Sequence, residues 1–147
     1  EHPTASGAPF DPGPEALAEL AGWFTHADLA ILRAVADLDG AGETRVWPHH
    51  FDLATLVELG EGQVGIGLSP GDGDIPHPYW YVRGYGHDGT DAAELPELPF
   101  GRWKAEGWPG AILEAPELVA LDDAEEQSAA ADAFLGAAVS TCVSLFG

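Results

Sequence analysis

Cationic side chains are scarce in this chain. Its 147 residues carry 5 Lys+Arg against 25 Asp+Glu, a formal net charge of −20, and Lys104 is the single lysine. The acidic residues run along the whole length rather than gathering in a tail, so the charge belongs to the entire surface. Such a field repels phosphate backbones, which proteins bind by neutralising them with Lys and Arg. Nucleic acid and anionic membrane are therefore not expected as partners. Cationic and neutral ligands stay open. Two origins fit so acidic a composition: a salt-rich cytoplasm, where a Debye length of about 3 Å at 1 M screens the self-repulsion, or a GC-rich genome, which the abundance of Ala, Gly and Pro also suits.

Cysteine is equally scarce. Cys142 stands alone, which excludes an intramolecular disulfide, and it falls within the apolar stripe of a helical pattern. A buried, unreactive thiol in a reducing compartment is expected there, and with it a cytoplasmic location. No run approaches the roughly 18 apolar residues of a membrane-spanning helix. The opening EHPTASGAPF has neither the basic nor the apolar region of a secretion signal. Glu1 in place of Met is expected of a trimmed chain or of a piece of a longer one.

Several catalytic signatures are missing too. There is no HExxH, no paired CxxC and no complete EF-hand loop. Gly65-Ile66-Gly67 lies in a strand pattern instead of opening a helix, so it is no dinucleotide fingerprint. Ser69 stands outside any GxSxG elbow, and a Ser-His-Asp triad is not expected.

What is present is the composition of a folded domain, 46% hydrophobic and 10% aromatic, at a length suited to one core. Residues 1–13, rich in Pro and Gly, read as a flexible lead-in to a single domain over 14–147. From Pro14, the spacing of Leu17, Leu20, Phe24, Ala27, Ile31, Val35 and Leu38 predicts a long helix ending near Gly40. Between Arg45 and Leu59 the period changes to two. That predicts one strand, with Trp47, His49, Phe51, Leu53, Thr55, Val57 and Leu59 on one face and His50 and Asp52 on the other. Gly60-Glu61-Gly62 then turns the chain into a hairpin with Val64, Ile66 and Leu68. Gly65 and Gly67 leave one face of that strand bare, open to a helix, an aromatic side chain or a ligand. Further strands are expected at 79–85, 102–106 and 111–113. A last helix opens on Asp122 as N-cap with Glu125 three residues on. The order helix, strands, helix predicts an α+β fold, an antiparallel sheet of about four to five strands packed against an N-terminal and a C-terminal helix.

The segment Trp47-Pro48-His49-His50-Phe51-Asp52 holds the densest candidate chemistry. His49, on the apolar face, reads as a core histidine. His50 and Asp52 share the other face, where the carboxylate can orient the imidazole or both can reach one cation. His77, in the loop 69–78 with Asp72 and Asp74, would complete a two-His, one-carboxylate set for a divalent metal if that loop folds back. The plainer account is a structural Asp–His pair. Trp47, Tyr79, Trp80, Tyr81, Tyr85, Trp103 and Trp108 crowd the β region, some as core and the rest suited to a cleft that stacks flat or cationic ligands.

The blocks Trp47-Pro48-His49-His50-Phe51-Asp52, Gly67-Leu68-Ser69-Pro70-Gly71-Asp72, Pro78-Tyr79-Trp80-Tyr81-Val82 and Glu106-Gly107-Trp108 resemble those of a conserved bacterial family without an assigned activity, over about residues 15 to 140. The resemblance implies a shared fold and a functional surface near these blocks. The family often carries His-Trp-His where this chain has Arg102-Trp103-Lys104. By that resemblance two potential metal ligands are replaced here by cations.

Three functions compete. The leading one is a small-molecule-binding domain whose cleft draws on His50, Asp52, His77, Trp80, Trp103 and Glu106. The second is a metal-assisted hydrolase in which His50, Asp52 and His77 hold the ion and Glu106 is the general base. The third is a non-catalytic interaction domain, forming a homo-oligomer or meeting another chain through a strand edge or an aromatic patch.

Overall fold

The computed structural model describes residues 12–60, 62–86, 94–104 and 110–146. Pro14 opens α1 (Pro14–Ala34), where a missing N–H costs nothing, and Gly13 precedes it in a positive-φ conformation. Six strands follow: β1 (Arg45–Trp47), β2 (Asp52–Leu59), β3 (Gly62–Ser69), β4 (Tyr79–Tyr85), β5 (Arg102–Lys104) and β6 (Gly110–Glu114). A short helix, α2 (Ala115–Val119), leads to the long α3 (Ala124–Phe146). The strands form one antiparallel sheet in the order β1-β2-β3-β4-β6-β5. The expected α+β architecture is therefore present, with more strands than expected and one additional short helix.

The extra strand arises because the 45–59 segment is two strands joined by a turn. The Phe51 N–H donates to the Trp47 carbonyl at 2.8 Å, and Phe51 takes a left-handed φ of 57°, uncommon for a bulky residue. Its ring packs at 6.0 Å from that of Phe24 on α1, which holds the turn against the helix. Trp47 consequently lies opposite Asp52 and on the same side of the sheet, whereas one continuous strand would have separated them. His49 and His50 are likewise not on opposite strand faces. Both are exposed in the turn, with their rings 4.8 Å apart edge to face, so His49 is no core residue.

The three helices of the described residues cover one face of the sheet. Val57, Val64, Ile66, Leu68, Trp80, Val82, Ala111 and Leu113 point into that layer and meet Ala27 and Ile31 of α1 and Phe134, Leu135 and Ala138 of α3. Each buried Val, Leu, Ile or Phe side chain there contributes about 1.5–3 kcal/mol. α1 stops at Ala34, short of the expected Gly40, and Leu17 in its first turns is 52% exposed, so only part of the apolar stripe is core. By length and composition Ala124–Leu145 would also suffice to span a membrane, though no unbroken apolar run announces it. Here its buried side is occupied by the sheet.

α3 begins one residue later than the capping pattern suggested. The Asp123 carboxylate, not that of Asp122, accepts the N–H groups of Glu125 and Glu126, both at 2.9 Å, and the Asp122 N–H donates to Glu126 at 3.3 Å.

Candidate functional site

The sheet face turned away from the helices is built around the bare side of β3. Tyr81 lies opposite Gly67, and Gly67 opposite Ala54. A Cβ at Gly67 would sit 2.7 Å from Tyr81 Cζ, Tyr81 Oη and Ala54 Cβ, so only glycine leaves room for the ring there. The Tyr81 ring therefore crosses β3, and its hydroxyl donates to Asp52 Oδ2 on β2. Gly65 serves Tyr85 in the same way, since a Cβ there would come within 3.1 Å of that ring. The Arg83 guanidinium stacks on Tyr85, 4.7 Å from the ring centroid. Of the three occupants expected for this bare face, an aromatic side chain is the one found.

The 69–78 loop walls one end. Asp72 organises it: Oδ1 accepts the N–H groups of Asp74 at 2.8 Å and Ile75 at 2.9 Å, while Oδ2 accepts the Tyr79 hydroxyl at 2.7 Å. Ile75 is thereby seated over Tyr79 and Ile112, capping that part of the open face with a small apolar cluster. Partial burial alone would raise the Asp72 carboxyl. The Ile75 N–H, the Tyr79 hydroxyl, the Asp74 N–H and the charge of His50 outweigh it and hold the group below its ordinary value. Burial and the bonds to Asp72 and Asp52 push the Tyr79 and Tyr81 phenols far up, so both stay protonated donors.

A hollow of about 450 Å³ lies between this loop and the β1–β2 turn, and a smaller one of about 310 Å³ adjoins it over β1, β2 and β3; the two share His50, Asp52, Tyr81 and Tyr85. Asp72, Asp74 and Arg83 line the larger, and Trp47 and His49 the smaller. Carboxylates outnumber the cationic groups. The two Asp–Tyr pairs are not equivalent. Both oxygens of Asp72 are engaged, whereas Asp52, only 7% exposed, has one. Its Oδ1 is buried with no hydrogen-bond partner among the described residues. A buried acceptor in that condition costs about 1–3 kcal/mol, more for a charged group, and native proteins seldom leave one unmet.

No protein-family model, curated protein or solved structure matches this chain.

Of the residues the sequence singled out, His50 and Asp52 line one cleft, made by the turn rather than along a strand face. The 69–78 loop approaches them through Asp72 and Asp74, whereas His77 is exposed and outside the cleft. Among the described residues no three His, Cys, Asp or Glu side chains are grouped to hold a metal ion, so the His50–Asp52–His77 set is not assembled. Trp80 points into the helix layer. Trp103 packs against the same layer and donates from Nε1 to the Pro96 carbonyl at 2.8 Å. Glu106 and Trp108 lie outside the described residues. Arg102, on the open face, is held by Glu114 at 2.7 Å. The cleft also takes Ser69 and Arg83, which the sequence did not single out, and Tyr79, Tyr81 and Tyr85 from the wider group of β-region aromatics. The signal that finds them is the Gly65/Gly67 pair, since a strand facing two glycines is where large side chains on its own face find room.

Proposed function

We propose that this chain is a small-molecule-binding domain whose site is the open-face cleft. Its ligand places a protonated amine against Asp52 and a flat body along Tyr81 and Tyr85. The observation that carries this reading is the unmet, buried Oδ1 of Asp52 beside an oxygen already taken by Tyr81. A protonated amine supplies the missing donor and neutralises the buried charge, and the surrounding excess of carboxylates attracts it. Aromatic rings held against glycine present a rigid surface for stacking and for cation–π contact. The metal-assisted alternative draws less support, because its three ligands are not grouped.

A panel of protonated arylalkylamines, with their N-acetyl counterparts as controls, tests the reading by thermal shift and ligand-observed NMR. Amines should bind and the acetylated controls should not. Asp52→Asn should weaken the amines roughly 10- to 100-fold, as expected for one hydrogen bond to a charged group. Binding that ignores the substitution, or no binding across the panel, refutes the proposal.

A further inference from the structure

A second cavity, of about 260 Å³, lies on the other side of the sheet, among α1, α2, α3 and β4. Gly22, Ala30, Leu118 and Ala131 give it a largely apolar wall, and Trp80 contributes from the sheet. Glu19, His26, Gln127 and Ser128 add polar groups. Arg33 at its margin is engaged by Asp132 through two nitrogens, Nη2 at 2.8 Å and Nε at 3.1 Å. Trp80 is 3% exposed, and its indole Nε1 is buried with no hydrogen-bond partner among the described residues. Indole N–H groups that are buried normally find an acceptor. A largely apolar cavity beside one buried, unmet donor is the complement of a mostly apolar molecule with one acceptor.

We infer that this helix-side cavity binds a small, neutral, mostly apolar molecule through one carbonyl or ether oxygen, to which Trp80 Nε1 donates. A carboxylate is disfavoured, because the chain's −20 charge repels it and the neighbouring Arg33 is already committed to Asp132. Size agrees, since an apolar cavity of about 150 Å³ accommodates benzene, so this one admits a ring and a short substituent. The site is independent of the open-face cleft. Trp80 and Tyr81 are consecutive in β4 and point to opposite faces, with the sheet between the two sites.

Acetophenone and ethylbenzene, matched in shape but differing in the acceptor, test the inference through the indole N–H signals of the five tryptophans. Trp80→Phe assigns the Trp80 signal. If that variant does not fold, Phe substitution of the other tryptophans in turn assigns it by elimination. Acetophenone should shift the Trp80 signal saturably and bind about five- to tenfold more tightly than ethylbenzene, the difference expected of one neutral hydrogen bond. Gly22→Leu, at a helical position where a Cβ meets nothing within 4 Å, should fill the cavity and weaken acetophenone at least tenfold without unfolding the chain. Asp52→Asn should leave acetophenone binding unchanged, so failure here and failure of the amine site are separable. A Trp80 signal that does not respond at millimolar acetophenone, equal affinity for the two probes, or indifference to Gly22→Leu overturns the inference.

Discussion

Tyr81 on β4 reaches Asp52 on β2 by laying its ring across the intervening strand at Gly67. Three strands are thereby tied together on the face opposite the described helices, and the contact fixes where the carboxylate points. The glycine acts here through space rather than backbone freedom.

Gly67→Ala is accordingly expected to be costly. The added methyl would sit 2.7 Å from both the Tyr81 phenol and the Ala54 Cβ, so the ring must lift and surrender Asp52. Overpacking of this kind costs roughly 1–3 kcal/mol, and the orphaned carboxylate adds to it. Denaturant unfolding of Gly67→Ala beside Gly73→Ala, where a Cβ meets nothing within 4 Å, measures the difference. Equal stabilities would contradict the account.

The loop carboxylate predicts a pH dependence. Asp72 is held below its ordinary value of 3.8 in the folded chain, so its ionised form contributes stability above that value and loses it as pH falls through the depressed one. Asp72→Asn keeps an acceptor for the loop N–H groups but has nothing to titrate. The stability gap between wild type and Asp72→Asn should be widest above about pH 5 and close as the medium is acidified below the carboxylate range. Thermal melts from neutral to strongly acidic pH check the sign. A gap that widens on acidification would be the wrong one.

Capping of α3 separates two neighbouring acids. Asp123→Ala should destabilise by about 0.5–2 kcal/mol, because it strips the acceptor from the N–H groups of Glu125 and Glu126. Asp122→Ala, whose backbone rather than side chain is engaged, should change little. Urea melts of the two variants decide between them.

Cys142 should be inert in the folded chain. It is 3% exposed, and burial pushes its thiol up to about 11, so little thiolate exists at pH 8 and what exists is covered. An aromatic disulfide reagent should label it only in denaturant. Stoichiometric labelling of the native chain within minutes would show that the α3 packing opens far more readily than the core implies.

Much of this was legible in the sequence and part was not, for reasons particular to the residues. The spacing of Ala27 and Ile31 gave the buried side of α1, and that of Val64, Ile66 and Leu68 the helix-facing side of β3, because one apolar face suffices to specify each. Alternation through Trp47, His49, Phe51 and Leu53 misled, because it runs unbroken in the sequence across the 48–51 turn, which places Trp47 and Leu53 on opposite faces of the sheet. The cap of α3 slipped by one because Asp122/Asp123 and Glu125/Glu126 satisfy the capping pattern in two registers.

The candidate sites divide along the same line. The chain by itself determined the acidity, the α+β class, the lone buried thiol and the bare glycine face, since each depends on residue type and local spacing. Which aromatic crosses that face, which oxygen of which aspartate is left unmet, and on which side of the sheet Trp80 falls were decided by strand pairing and by the face the helices cover. Those are contacts between residues far apart in the chain, such as Asp52 with Tyr81, and no local pattern encodes them.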